Sequence, residues 1–181
     1  MAHPEPIVFL NGQFVPRSAA TMDIEDRGTM FGDGVYEVIR YYAGKPLAMK
    51  EHLARLKQSL KAIRIEPTDD VLRLDAITDA LVNRNRMPEA RVYWQVTRGP
   101  ASPRRYPIPA EPKSTLLVLT YPDAPLETQS PVPTITAAVV PDERWHRCSI
   151  KTVMLLPSVL ALHKAIDRGA QAAILHCAGG V

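Results

Sequence analysis

The stretch Cys148–Pro157, with the sequence CSIKTVMLLP, places one charged side chain, Lys151, inside a largely apolar run. An amine in a low-dielectric interior either finds a partner or loses its proton. The neutral amine is the form that attacks a carbonyl and forms a Schiff base. The alternative is a lysine at the end of a half-buried strand, whose stem lies along the protein while its amine reaches water. This segment alone leaves both interpretations open.

The chain of 181 residues has the composition of a globular protein, with 46% hydrophobic and 23% charged residues. No apolar run approaches the roughly 18 residues of a membrane span. The net charge of +3 is too small to indicate nucleic acid as a partner. The first residues lack the pattern of a signal peptide, so we expect a cytoplasmic location. Cys148 and Cys177 lack metal-type spacing and are predicted to be free thiols in buried strands.

Strand and helix patterns alternate in the part of the chain before this stretch. Ile7–Val15 holds two apolar runs around Asn-Gly, the strongest short signal for a β-hairpin. Further strand patterns, rich in β-branched and aromatic residues, cover 35–42, 90–97 and 115–121. Amphipathic helical patterns cover 50–63 and 71–81. Five prolines between Pro100 and Pro112 indicate a long loop, which is typical of a functional site or an interface.

A polar, proline-bearing segment over 122–133 is the best candidate for a domain linker. We therefore predict an α+β fold of two domains. A small α/β domain would cover 1–121, and a larger mixed α/β domain would begin at 134, continue to 181 and include Lys151.

The second domain shows one strand, one helix and one further strand before the chain ends. The first strand begins within 134–140, Pro157 opens a helix that Gly169 ends, and the second strand covers 172–177. Residues 178–181 then look like a hairpin turn into a strand that is not in the chain. We expect the 181 residues to be part of a longer protein.

Arginines supply the other signals for a site. Arg55 is predicted near the N-terminal part of its helix, where the helix dipole disfavours cations, so an anion is expected nearby. That anion is either a phosphate or a glutamate, which is Glu51 or one elsewhere in the chain. Arg104 and Arg105 lie on the proline-stiffened loop and suit capture of a carboxylate, although a solvated basic loop has the same pattern. An amine, a phosphate site and a carboxylate site together suit pyridoxal phosphate acting on amino acids.

Five motifs in chain order carry a resemblance to a known family. They are EDRG at 25–28, FGDGVYE at 31–37, EHLARL at 51–56, QVTRG at 95–99 and RCSIKT at 147–152. Over nearly its whole length the chain resembles the fold-type IV, or class IV, pyridoxal phosphate-dependent aminotransferases. Within that family it most resembles the members that act on D-amino acids.

The resemblance implies roles for individual residues. Lys151 would form the Schiff base with pyridoxal 5'-phosphate and carry the proton between the substrate α-carbon and the cofactor. Arg55 would bind the cofactor phosphate, and Tyr36 would be the active-site tyrosine. Arg104 would bind the substrate α-carboxylate together with Tyr106. In the D-amino acid enzymes that carboxylate grip comes partly from the opposite subunit, so the resemblance also implies a homodimer.

Three departures from the family pattern bear on the substrate and the cofactor. Tyr106 stands where the family has a histidine, and a phenol donates one hydrogen bond but carries no positive charge. Arg40, which is also predicted to contact the substrate, corresponds to a lysine in the D-alanine-type relatives and to an arginine in the branched-chain ones. A glutamate that pairs with the pyridine nitrogen in relatives is expected a few residues beyond 178–181.

The predicted function is transamination between an amino acid, expected to be a D-amino acid, and a 2-oxo acid. Three alternatives remain on the same fold. One is lyase chemistry of the 4-amino-4-deoxychorismate type, and another is branched-chain aminotransferase activity. The third is an inactive, truncated relative that serves as a dimerising or binding module.

Overall fold

The computed structural model describes residues 5–126, 132 and 134–177. The described residues fall into two compact units, one within Met1–Thr128 and Ile150–Val153 and the other within Gln129–Ser149 and Met154–Val181. Lys151, which we assigned to the second domain, therefore packs with the first unit. Much of the predicted linker and all of the predicted turn at 178–181 lie outside the described residues. The linker stays a prediction.

A six-stranded antiparallel sheet with the order β2-β1-β6-β5-β3-β4 forms the first unit. Its strands are β1 Ile7–Leu10, β2 Gln13–Pro16, β3 Gly34–Tyr42, β4 Lys45–Pro46, β5 Ala90–Thr97 and β6 Thr115–Pro122. Its helices are a 3-10 turn at Arg17–Ala19, α1 Arg27–Phe31, α2 Met49–Ala62, α3 Asp69–Leu72 and α4 Leu74–Arg84. The predicted strands and the helix α2 are confirmed.

The Asn-Gly turn sets the register of the first hairpin. Asn11 and Gly12 have φ values of 46° and 88°, the left-handed backbone that a two-residue hairpin turn requires. Leu10 consequently pairs with Gln13, and the pairing continues to Ile7 and Pro16.

The core lies between one face of the sheet and the helices α2 and α4. Alternation along β3 buries Val35, Glu37, Ile39 and Tyr41 on this face and leaves the residues between them partly exposed on the other face. The helices contribute fully or nearly fully buried leucines, namely Leu56, Leu60, Leu74 and Leu81. Each buried leucine stabilises the fold by about 1.5–3 kcal/mol relative to an exposed one.

The helix predicted over 71–81 is two helices. α3 ends before Arg73, whose φ of −112° and ψ of 18° leave the helical region, and α4 begins at the next residue. Val71 and Leu74, on either side of the break, are both buried. The apolar pattern therefore continues across the break, and periodicity alone does not reveal it.

The second unit pairs β7 Ala137–Pro141 in parallel with β8 Ala172–His176, and α5 Leu156–Ile166 connects them. Pro157 lies in the first turn of α5, and Gly169 follows the helix with a φ of 76°. Both predicted strands and the helix are confirmed. Among the described residues, no helix combines the length and hydropathy that a membrane crossing requires.

The prediction that the cysteines are buried is wrong. Cys148 and Cys177 are free but exposed. Cys148 lies in a turn, where its thiol donates to the carbonyl oxygen of Trp145 at 2.9 Å, rather than in a strand. Cys177 follows β8, which is a strand without a buried residue.

Candidate active site

Backbone hydrogen bonds hold Lys151 against the free edge of β3. The amide of Tyr36 donates to the Lys151 carbonyl at 2.9 Å, and the amide of Val153 donates to the Gly34 carbonyl at 3.1 Å. Val35 and Thr152 form an antiparallel bridge between them. The short segment therefore extends the sheet beside the first half of β3.

The Lys151 amine lies over an aromatic ring. Nζ is 4.2 Å from the centroid of Tyr36, a cation–π distance, and the Lys151 side chain is half-buried. In the described part of the chain, no carboxylate lies within ion-pair distance of this amine. The Tyr36 ring stacks in turn on Tyr93, 5.6 Å away, and burial raises the pKa of Tyr93 to about 12.

The apolar run that singled out Lys151 is only partly buried. Ile150 is buried, whereas Met154, Leu155 and Leu156 are exposed in this chain. The apolar run therefore does not enclose the lysine as a whole. The strand-edge hydrogen bonds and the contact with Tyr36 are what set the position of the amine.

Arg55 has an anionic partner that lies on the buried face of β3. Nε and Nη2 of Arg55 each donate to Glu37 at 2.6 Å, and Nδ1 of His52 lies 2.8 Å from the same carboxylate. Glu37 is fully buried, while 49% of the Arg55 side chain is exposed. Hydrogen bonding to Glu37 raises the pKa of Arg55 above its ordinary value.

This geometry decides two points of the Arg55 prediction. Arg55 lies in the middle of α2 rather than near its N-terminal part, so the helix dipole contributes little at this position. The partner is Glu37, a glutamate elsewhere in the chain, rather than Glu51. Ser59, one turn further along α2, accepts a hydrogen bond from the Lys151 amide at 3.3 Å, which brings α2 beside the lysine segment.

Arg104 and Tyr106 lie on the proline-rich loop and share one aromatic neighbour. The Arg104 guanidinium is 4.4 Å from the centroid of Phe31, and the Tyr106 ring is 5.6 Å from Phe31. Both side chains are exposed. The Arg104 guanidinium is therefore oriented by stacking and is open to a ligand.

Buried arginines surround the Gly-Asp-Gly turn that precedes β3. Asp33 accepts hydrogen bonds from Arg27 at 2.8 Å and from Arg98 at 2.8 and 3.0 Å. Burial raises the pKa of Asp33, but the hydrogen bonds from Arg98 and Arg27 outweigh it and hold the pKa below its ordinary value. Asp26, fully buried, accepts from Gly28, Thr97 and Thr115 and caps α1.

Arg40 lies near the opposite end of β3 from Tyr36. Its Nη2 donates to Glu89 at 2.8 Å, and its Nη1 is 3.4 Å from Asp123. The Tyr42 ring lies 4.5 Å from the guanidinium. The side chain is thus engaged in ion pairs with this unit.

The structure brings together Lys151, Tyr36 and α2, the helix that carries Arg55, around the first half of β3. Sequence reasoning missed the roles of Glu37 and Arg27. A signal for Glu37 existed, because a carboxylate at a core position of an alternating strand requires a partner. Arg27 gave no comparable signal, because most of its partners are backbone carbonyls.

Comparison with known proteins identifies the family. Residues 34–181 match the family model described as amino-transferase class IV, and the chain belongs to this family. D-alanine aminotransferases are similar to it: that of Listeria innocua is 39% identical and that of Bacillus licheniformis 41% identical, each over 170 residues. These alignments cover 93% of the chain and 59% of either relative, so the chain spans about three fifths of their length.

Solved structures support the predicted fold class. The branched-chain amino acid aminotransferase of Escherichia coli superposes with a TM-score of 0.84 at 22% identity, over 97% of this chain and 61% of that one. The branched-chain aminotransferase of the archaeon Thermoproteus uzoniensis, solved with norvaline, gives 0.82 at 22% identity, again over 97% of this chain and 61% of that one. At this identity the likeness shows the fold alone. The predicted family and fold class are confirmed.

Proposed function

We propose that this chain provides part of the active site of a pyridoxal phosphate-dependent aminotransferase that acts on a D-amino acid and a 2-oxo acid. The observation that carries the proposal is the half-buried amine of Lys151, 4.2 Å from the Tyr36 ring and without a carboxylate partner among the described residues. A fixed amine of this kind is what a carbonyl cofactor requires.

The described residues also fit the cofactor's phosphate. Glu37 engages Nε and Nη2 of Arg55, whereas Nη1 makes no hydrogen bond within the described part of the chain. Arg55 can therefore donate to a phosphate through Nη1 while Glu37 holds the guanidinium plane. Because Glu37 already balances one positive charge, a dianionic phosphate needs donors in addition to Arg55.

Pyridoxal phosphate, when bound, supplies the electron sink that makes the substrate α-carbon acidic. Lys151 would bond to the cofactor and, once displaced by substrate, accept the α-proton at Nζ. The Tyr36 ring would limit the directions from which that nitrogen is approached. Arg104 and Tyr106 would bind the α-carboxylate, the guanidinium by ion pairing and the phenol by one hydrogen bond.

The relatives favour a D-amino acid as the substrate. The proteins at 39% and 41% identity are D-alanine aminotransferases, whereas the branched-chain enzymes share only 22% identity and the fold. Arg40, an arginine also in the branched-chain relatives, forms ion pairs with Glu89 and Asp123, so its identity alone does not favour a branched-chain substrate. A homodimer and a cytoplasmic location stay predictions. A solution mass of twice 20.1 kDa would support the dimer.

The test uses borohydride, which converts a lysine–pyridoxal linkage to a stable amine. The purified chain is incubated with pyridoxal phosphate, reduced, and weighed by intact mass spectrometry. We expect a single cofactor-sized adduct that peptide mapping assigns to Lys151. Lys151→Ala should abolish the adduct, while Lys61→Ala, at the end of α2, serves as the matched control and should retain it.

Turnover separates the proposal from its alternatives. D-alanine and L-leucine are compared as amino donors with one 2-oxo acid acceptor, using the protein at its full natural length. Preference for D-alanine and dependence on the oxo acid are expected. An adduct spread over several lysines would contradict the assigned role of Lys151, and a clear preference for L-leucine would contradict the proposed substrate.

A further inference from the structure

The loop 102–113 is held to the rest of the chain at its base and, by hydrogen bonds from one side chain, in its middle. At its base, the amide of Ala101 donates to Glu25, and the amide of Arg27 donates to Gly99. A Cβ on Gly99 would lie 1.7 Å from the Lys113 carbonyl oxygen, so the two ends of the loop are in close contact. Between these ends, the loop depends on side-chain contacts.

Arg27 provides those contacts. Its Nη1 donates to the carbonyls of Arg105 at 2.7 Å and Pro107 at 3.4 Å, and its Nη2 donates to that of Tyr106 at 3.2 Å. Among the described residues, these are the only hydrogen bonds that join 102–113 to the rest of the chain. These three carbonyls belong to consecutive residues that begin directly after Arg104 and include Tyr106.

The helix α1 presents Arg27 and its partner ring together. Arg27 and Phe31 are four residues apart and lie on one face of α1, with the guanidinium 4.8 Å from the ring centroid. Arg104 stacks on the same ring at 4.4 Å. Phe31 therefore contacts both guanidiniums, one that fastens the loop and one that is open to a ligand.

Asp33 fastens Arg27 in turn. The Arg27 side chain is only 6% exposed, and its Nε donates to the Asp33 carboxylate, so the guanidinium cannot turn without breaking this ion pair. Arg98 shares this carboxylate and is 3% exposed, but its other donors reach the carbonyls of Ile63 and Arg64. The two arginines are thus alike in burial and charge partner and differ in the segment that they fasten.

We propose that Arg27 is the positioning residue of the loop that carries Arg104 and Tyr106. It donates to three successive carbonyls of that loop, and so sets the direction in which Arg104 and Tyr106 face a substrate carboxylate. Its link to the substrate rests on the proposed function, whereas its hold on the loop does not.

Native-state trypsin cleavage tests the hold on the loop. Cleavage after Arg104 and Arg105 requires the loop to open, and its rate reports how often that happens. Arg27→Lys keeps the positive charge beside Asp33 but cannot reach several carbonyls from one planar group. We expect this variant to raise cleavage after Arg105 about tenfold or more, with little change after Arg64.

Arg98→Lys is the matched control and should show the opposite pattern, faster cleavage after Arg64 with little change after Arg105. If Arg27→Lys does not fold, Asp33→Asn is tested instead. This variant keeps the side-chain shape but weakens the hydrogen bonds that Asp33 accepts from Arg27 and Arg98. It should raise cleavage at both sites. Cleavage after Arg105 within about twofold of the parent rate, in the folded variant tested, would overturn the proposal.

Kinetics then test the link to the substrate. In the full-length enzyme, Arg27→Lys should raise the KM for the amino acid about fivefold or more while kcat changes little, since the loop binds rather than reacts. Faster cleavage with an unchanged KM would support the hold on the loop and would reject the assignment of that loop to the substrate carboxylate. A failure of the proposed role of Arg27 in the loop can therefore be distinguished from a failure of the proposed role of the loop in substrate binding.

Discussion

The charge pair between Glu37 and Arg55 gives the sharpest test of how this unit is stabilised. The perturbation is Glu37→Gln, which keeps the size and shape of the side chain and replaces one carboxylate oxygen with an NH2 group. In the parent protein that carboxylate accepts from Arg55 Nε and Nη2, each at 2.6 Å, and lies 2.8 Å from His52 Nδ1. Arg55 donates to both carboxylate oxygens of Glu37, so whichever oxygen becomes the NH2 group of glutamine, that group faces an N–H of Arg55 and the hydrogen bond is lost.

The magnitude follows from the burial of the two partners. A hydrogen bond to a charged group contributes about 1.5–3 kcal/mol, and Glu37 is fully buried, so water cannot replace the lost acceptor at its end. Arg55 is 49% exposed, and solvent at its end lowers the loss. We expect Glu37→Gln to reduce the free energy of unfolding by about 2 kcal/mol.

Tryptophan fluorescence during urea unfolding measures this loss. The chain has two tryptophans, and Trp94 is fully buried in the same unit as Glu37. In a Trp145→Phe background, Trp94 reports on that unit alone. A loss of about 2 kcal/mol corresponds to a midpoint lowered by about 1 M urea for a typical slope.

A double-mutant cycle with Arg55→Met assigns the loss to the pair. A coupling energy of about 1 kcal/mol or more is expected, because the two residues are in direct contact. Coupling below about 0.3 kcal/mol, the level of independent sites, would refute the reasoning. Glu37→Gln would then act through some other neighbour.

Three further outcomes follow from single contacts. Thr78→Val removes the hydroxyl that accepts from the buried Trp94 indole at 2.8 Å, and should cost about 1–3 kcal/mol in the urea assay, whereas Thr78→Ser should cost less. Burial raises the pKa of Asp33, but hydrogen bonds from Arg98 and Arg27 lower it by more, so the pKa lies below its ordinary value. The lowered pKa means that Asp33 stabilises the fold above its unfolded pKa of about 4, and that this stability is lost as the pH falls through the folded value. Asp33→Asn should flatten that acid limb in unfolding measured from pH 7 downward, and an unchanged slope would contradict the assignment. Arg104→Ala should raise the KM of the amino acid about tenfold while the borohydride adduct stays intact, and an unchanged KM would remove Arg104 from the site.

The strands and the main helix could be predicted because their signals are local. Alternation over 35–42, the Asn-Gly turn and the helical spacing over 50–63 each depend on neighbours within a few residues. The break at Arg73 could not be predicted, because the apolar pattern is continuous across it.

The site could be predicted only where side chains carry its chemistry. Lys151 stood out by its charge, but its position depends on hydrogen bonds to β3, more than 110 residues earlier in the chain. The partner of Arg55 is 18 residues away on a strand, and the sequence left open whether it was the nearer Glu51 or a glutamate elsewhere. Arg27 acts on carbonyls, which every residue has and which no sequence pattern marks.

Tyr36 and Glu37 are consecutive, yet their side chains lie on opposite faces of β3, one under the Lys151 amine and one beneath Arg55. Inserting or deleting one codon between Gly34 and Tyr36 would exchange the two faces, because side chains alternate with a period of two. The carboxylate would then face the lysine and the phenol would enter the core, although every other residue of the site was retained. In gene comparisons, the length of this segment should therefore be invariant even where its apolar residues differ.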